Sequence, residues 1–414
     1  MALPTALLLL APALRAAEAE GGATVTLGTR HMNMSALGTP STLPVFGGSM
    51  STKPQAIVPD EPAADDSCPD AIQLNQISIS AGTLPYRVYE DYDCGGGCGL
   101  TRAKGKPGAM PTVVLESASY RATLYPQHGA KLGSLVHKPS GKELLFDNPV
   151  FQPGALGRLN AWTSGGVEWN WPRHGHTVFT VAPLYVTEVE TPRGPIVRLY
   201  EFDREMNTTY QVDLFTRDSD PVFWIHVKLQ NREPHTIDGY WWTNIAVPLK
   251  NTSRVLFPAD YAAVSGAAGG KLSCVRFPHF PDDPAGYAPQ LEAAWPAATT
   301  PTGVASLGVD NTQRFDSDHS YPSAYYKARE NFIGMDSNAD VPRAFMGIVD
   351  TATGEGTLHC QTKEQRGRKY WAWGNDPSDL TRLYFLSSCT GGSSGTDCLG
   401  AYLETQSGVV PTQM

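Results

Sequence analysis

From Thr112 onward, apolar and polar residues alternate with period two, the spacing that sends successive side chains to opposite faces of a β-strand. Tyr120, Ala122 and Leu124 alternate with Arg121 and Thr123. The turn-forming run Lys138-Pro139-Ser140-Gly141 then separates the apolar runs Leu132–Val136 and Leu144–Phe146, which predicts two strands and a tight turn. Thr191-Pro192-Arg193-Gly194-Pro195 divides Val186–Glu190 from Ile196–Phe202 in the same way, as in a hairpin. Further on, Phe223, Ile225, Val227 and Leu229 fall on one face while Trp224, His226, Lys228 and Gln230 fall on the other, as a half-buried strand requires. No long stretch carries a helical period, and no fixed repeat points to a propeller or solenoid. The expected fold class is all-β: one large antiparallel β-sandwich over residues 112–414.

The chain before Thr112 has a different texture. An apolar run from Ala6 to Leu14, followed by Ala17-Glu18-Ala19, fits a signal peptide over residues 1–19 and a secreted or secretory-lumen protein, although no Lys or Arg precedes the run. Residues 20–70, rich in Ala, Gly, Pro, Ser and Thr, read as a disordered arm. Residues 71–111 form a lead-in with β-prone runs at Ile72–Ile79 and Tyr86–Tyr92 and a Gly-rich turn between Cys94 and Cys98. No other run approaches the roughly 20 apolar residues of a membrane span.

Composition narrows the partner. With 414 residues, 41% hydrophobic and 18% charged, the chain can bury a large core. A formal charge of -9 without a basic run argues against nucleic acid, which needs clustered cations, and leaves a neutral polar ligand as the expectation. Seven cysteines, Cys68, Cys94, Cys98, Cys274, Cys360, Cys389 and Cys398, allow at most three pairs in an oxidising compartment. A Cys389–Cys398 bridge would offset the entropy of the loop Thr390–Asp397. For Cys94 and Cys98 a local disulfide or two thiols is expected; a structural zinc needs four ligands, and no second close pair answers this one. No metal or cofactor is therefore expected. Three Asn-x-Ser/Thr sequons, at Asn33, Asn207 and Asn251, suit a secreted glycoprotein.

The densest chemistry lies in Trp162–His176, which holds Glu168, Asn170, His174, His176, Trp169 and Trp171. Gly165-Gly166 ahead of Glu168 suggests a tight backbone that aims the carboxylate into a cavity. His174 and His176, two apart in an extended segment, point to one side. Indoles stack on sugar C–H faces while carboxylates, amides and imidazoles bond hydroxyls, which is the mixture a saccharide pocket needs. The alternative is plainer: the tryptophans are core, Glu168 pairs with an Arg, and the His pair is a solvated loop. Three further clusters add to the first. Tyr240, Trp242 and Asn244 share one face by alternation, as do Tyr402, Glu404 and Gln406, and Lys369–Asn375 carries Trp371 and Trp373. Together they shift the reading toward a carbohydrate cleft. Gly391-Gly392-Ser393-Ser394-Gly395 matches Gly-x-Ser-x-Gly in letters, but in a Gly- and Ser-rich loop and not in the strand-to-helix context of a nucleophile elbow; Walker, dinucleotide and His-Glu-x-x-His signatures are missing from the sequence.

Leu124–Asn148 resembles the opening hairpin of galactose-mutarotase-like domains. More closely, Ser164–Pro172 with His174, Tyr240–Pro248, Leu256-Phe257-Pro258, Lys369–Gly374 and Tyr402–Gly408 resemble the DUF5107 family of bacterial proteins, over about Pro111 to Met414. The resemblance implies a galactose mutarotase-like β-supersandwich with a saccharide groove, and a domain truncated at its C-terminus, since such domains usually continue beyond Met414. Aldose epimerases carry a general-base Glu on a late strand, for which Glu404 is the counterpart here, and a general-acid His on a central strand, where this chain has Tyr240. The implied activity is aldose 1-epimerase-like isomerisation, with Glu404 as base and His174 or His176 as acid. The alternatives are a non-catalytic carbohydrate-binding protein held together with its sugar by Trp169, Trp171 and Trp242, and a glycoside hydrolase or lyase using Glu168 with Glu404.

Overall fold

The computed structural model describes residues 22–34, 50–56, 73–79, 106–148, 150–151, 153–154, 162–172, 178–180, 182–204, 206–218, 221–250, 252–256, 261–265, 272–276, 329–333, 345–362, 364–365, 367–372 and 402–409. Among these the regular structure is strand, with a single 3-10 turn at Val178–Thr180 and no α-helix. None of it is a helix long and apolar enough to cross a membrane.

One large sheet organises the molecule. Its middle runs Gly367–Ala372, Tyr402–Gly408, Trp242–Pro248, Val167–Asn170, Lys131–His137, Tyr120–Tyr125, Lys106–Glu116 and Thr24–Met34, each strand antiparallel to the next. Beyond Thr24–Met34 a short parallel pairing with Val150–Phe151 ends the sheet. The alternation read from the sequence decides which face is dry. Leu115, Ala122, Leu124, Leu132, Val167 and Trp169 face a four-stranded sheet made of Tyr185–Val189, Ile196–Asp203, Thr208–Thr216 and Phe223–Asn231. That sheet returns Val197, Leu199, Tyr210, Val212 and Leu214 to the same core. Further along the large sheet, Val247, Leu403 and Tyr370 meet Val255, Met346 and Ile348 from a three-stranded sheet of Ser253–Leu256, Phe345–Asp350 and Glu355–Cys360. Two small sheets thus cover the back of the large one, and burial of these two apolar layers is the main favourable term of folding.

The hairpin around Thr191–Pro195 and the two-faced strand at Phe223 form as expected. Part of the stretch 20–70, expected as a disordered arm, is strand, and residues 35–49 and 57–70 lie outside the described residues. Thr24–Met34 pairs along its full length with Lys106–Glu116, and Met50–Ala56 pairs with Gln73–Ile79. The arm's composition hid a strand because Thr24-Val25-Thr26-Leu27 has β-prone residues whose pairing partner lies far away in sequence. The bridges considered for Cys68, Cys94, Cys98, Cys389 and Cys398 lie outside the described residues, and Cys360 is a free, exposed thiol.

Candidate functional site

The front face of the large sheet is built from the positions that alternate with the core. Register sets them in rows. Glu168 stands opposite Asn244, Asn244 opposite Gln406, and Gln406 opposite Lys369. One row along, Ala246 stands opposite Glu404 and Glu404 opposite Trp371. On the other side, Asn170 is opposite Trp242 and Trp242 opposite Gly408, which pairs with Gly367, so two neighbouring strands carry glycine level with the indole. Glu168, Asn170, Asn244, Glu404, Gln406 and Lys369 are all buried polar residues, and buried polar groups persist only when they are hydrogen-bonded.

The bonds converge on Glu404. Its Oε1 accepts from the Tyr402 hydroxyl at 3.0 Å. Its Oε2 accepts from Asn244 Nδ2 at 2.8 Å and Gln406 Nε2 at 3.0 Å. Three donors on two strands therefore hold one carboxylate in one orientation, the positioning a reacting base requires. Glu168 is held by its own strand neighbour: Asn170 Nδ2 donates to its Oε1 at 3.0 Å, and the Thr180 hydroxyl donates to Asn170 Oδ1 at 2.9 Å. The 3-10 turn Val178–Thr180 thus orients Asn170, and Asn170 orients Glu168.

A cation missed by the sequence reading stands beside both acids. Lys131 is buried, and its Nζ donates to the Thr163 carbonyl and to Thr163 Oγ1. Burial lowers its pKa to about 8, opposed by the charges of Glu168 and Glu404. The available signal was alternation alone: Leu132 faces the core, so Lys131 and Gly133 face the front, a position at which a lysine in an apolar run gives no chemical hint. Lys131 also lines a small cavity with Tyr125, Asp147, Asn148, Ser164 and Gly166. The Arg30 guanidinium, supplied by the N-terminal strand, bonds the Tyr125 hydroxyl and Asp147 next to it, both at 2.6 Å.

Aromatic rings rim the rows. Lys369 Nζ stands 4.7 Å from the centre of the Trp242 ring, and Tyr240 meets Trp242 edge-on at 6.5 Å. Phe146 stacks on Tyr402 at 4.6 Å.

The structure therefore brings together Glu168, Asn170, Asn244, Trp242, Tyr240, Glu404, Gln406 and Trp371 on one side of one sheet. Two expected sugar contacts are corrected. Trp169 points the other way, into the core between the sheets, where its Nε1 donates to the Ala130 carbonyl at 3.2 Å. Trp171 belongs to the same core, its Nε1 bonded to Thr208 Oγ1 at 3.0 Å. Alternation is the reason for Trp169: one residue from Glu168 in a strand is the opposite face. His174, His176 and Trp373 lie outside the described residues. Among the described residues no group of three or more His, Cys, Asp or Glu is placed to hold a metal ion.

Comparison with known proteins bears on the fold. A TPR-domain-containing protein from Parabacteroides distasonis aligns with 95% of this chain at 16% identity and a TM-score of 0.57. The chain spans about half the length of that structure, 52%. A galactose mutarotase-like protein from Clostridium acetobutylicum aligns with 72% of this chain and 85% of its own, at 9% identity and a TM-score of 0.44. A galactose mutarotase-like protein from Lactobacillus casei aligns with 72% and 87%, at 10% identity and a TM-score of 0.38. The family model described as "Domain of unknown function (DUF5107)" matches residues 80–414, and the chain belongs to that family.

Proposed function

We propose that the front face of the large sheet binds a saccharide, and that Glu404 acts there as a general base on an anomeric hydroxyl. The observation that carries this reading is the fixing of one buried carboxylate by Tyr402, Asn244 and Gln406, with Trp371 in the same row as Glu404 and Trp242 two rows along on the same face. Amides and carboxylates supply the donors and acceptors that sugar hydroxyls need, and indole faces suit sugar C–H bonds.

In an aldose epimerisation, Glu404 takes the proton of O1 as the C1–O5 bond breaks, and the ring oxygen takes a proton from an acid. Rotation about C1–C2 and closure on the other face of the aldehyde return both protons and give the other anomer. His174, His176 and Tyr240 are the candidate acids. General acid–base help of this kind contributes about 10²–10⁴-fold. A hydrolase pairing of Glu168 with Glu404 has less support. They lie on strands separated by one other and are offset by two residues, so strand geometry sets their Cα atoms roughly 12 Å apart.

The test is anomer exchange, followed by NMR, for a panel of aldoses with the purified chain. Wild type should accelerate exchange for at least one sugar, and Glu404→Gln should abolish the acceleration while sugar binding persists. The amide can keep all three bonds if its oxygen faces Asn244 and Gln406 and the Tyr402 hydroxyl turns to accept. Saccharide binding without any acceleration would leave a binding protein, and neither binding nor exchange across the panel would refute the saccharide reading altogether.

A further inference from the structure

The four-stranded sheet buries one face against the core, and its other face presents three ordered rows. Tyr185, Tyr200, Gln211 and Lys228 stand side by side across its four strands. Two residues further along come Thr187, Arg198, Asp213 and His226. Two further still, Val189 pairs with Ile196 and Phe215 with Trp224. Three of the four aromatic residues of the outer rows are exposed, Tyr185 by 62%, Trp224 by 42% and Tyr200 by 37%, and Phe215 is half-buried.

They are also ordered as pairs. The Tyr185 and Tyr200 rings stack at 5.3 Å with 17° between their planes, and Phe215 and Trp224 lie within 5° of parallel at 5.9 Å. A four-residue offset along the strands and two strand spacings separate the pairs by roughly 17 Å. Between them the middle row is a fixed polar network. Arg198 donates to both Asp213 oxygens at 2.7 and 2.8 Å, Gln211 donates to them at 3.1 and 2.9 Å, and His226 Nδ1 lies 4.0 Å from Asp213.

This alternation selects among occupants. A protein partner would cover the Arg198–Asp213 network and have to desolvate it, with only two separated aromatic islands in return. A chain of hydroxyl-bearing rings can stack on both islands and hydrogen-bond the network between them. Charge adds a second criterion. Arg198 neutralises Asp213, and Lys228 and Arg217 remain as cations, Arg217 lying 5.3 Å over the Phe215 ring, in a chain whose formal charge is -9. A locally positive strip on an acidic protein complements a ligand with carboxylates.

We infer that the outward face of the four-stranded sheet, with the Tyr185–Tyr200 and Phe215–Trp224 pairs at its two ends, is a second glycan-binding surface that takes an extended uronate-containing chain. It faces away from the large sheet, whose opposite, front face carries Glu404, so it would hold a polymer to the molecule independently of the front-face site.

The test is affinity electrophoresis of the full chain in gels with dissolved polygalacturonate, with a neutral β-glucan as comparison. Wild type should be retarded by the polyuronate and less by the glucan, and salt should weaken the effect. The double variant Tyr185→Ala, Trp224→Ala removes exposed side chains from a sheet whose core it leaves intact, and circular dichroism checks that it folds. It should lose about tenfold or more in affinity. Lys228→Gln should weaken binding and flatten its salt dependence. Any one of three results overturns the proposal: no retardation of wild type, unchanged retardation of the double variant, or equal retardation by the neutral glucan. Concentration-dependent dimerisation abolished by the double variant would also overturn it, by making this face a protein interface.

Discussion

Lys131 offers the sharpest test of the front face, because its charge is held in a buried place by two acids of the same sheet, Glu168 and Glu404. Its pKa is 10.5 in an unfolded chain and is pushed down to about 8 in the folded protein, chiefly by burial, with Glu168 and Glu404 resisting. Between those values the unfolded chain binds a proton that the folded chain has released. Stability therefore rises with pH across this window, by about 1.4 kcal/mol per pH unit. Below pH 8 the folded protein carries the whole penalty of a buried ammonium, and above 10.5 it carries none. Integrating the two titrations from pH 7.5 to 10 gives a gain of about 2 kcal/mol from this one group. Lys131→Met keeps the side chain's length and removes its titration. The diagnostic is the slope, since the offset at any one pH also contains the bonds to Thr163 and the attraction to both carboxylates. Chemical denaturation of wild type and variant at half-unit steps should show the wild type gaining about 2 kcal/mol on the variant over that range. Parallel curves would refute the placement of Lys131 as a buried cation.

Three further outcomes follow from the packing. Trp169→Ala should destabilise the protein by about 3–5 kcal/mol in denaturant titrations, as loss of a core indole does, while the folded fraction keeps its affinity for a front-face sugar. Gly166 has a φ of 67°, and a Cβ there would come 2.5 Å from the Leu132 carbonyl oxygen. Gly166→Ala should therefore cost at least about 1–3 kcal/mol and lower the denaturation midpoint. Deleting Thr24–Met34 should lower the melting temperature and raise concentration-dependent aggregation by light scattering, because it uncovers the Lys106–Glu116 edge and removes Arg30 from Tyr125 and Asp147.

From Thr112 onward, period-two alternation in the sequence marked several strands and their faces. It placed Tyr402, Glu404 and Gln406 together, set Tyr240, Trp242 and Asn244 on one side, and divided Phe223–Gln230 correctly between core and solvent. The same rule, applied inside Trp162–His176, separates Trp169 from Glu168; reading that segment as one chemical cluster mixed a core side chain with a front-face one. Family resemblance pointed to Glu404. What the sequence could not supply was register. Asn244 bonds Glu404 across 160 residues of chain, and Glu168 reaches the same face because Val167–Asn170 pairs with Trp242–Pro248 in one particular alignment. A one-residue slip in either pairing would send these side chains to the core, and nothing local to either strand fixes that choice. It is fixed by the two apolar layers behind the sheet, which bury Val167, Trp169, Val247 and Leu403 only in this register. Lys131, the Arg30–Tyr125–Asp147 contacts and the pairing of the N-terminal strand belong to the same class: each depends on partners distant in sequence, so only the tertiary structure decided them.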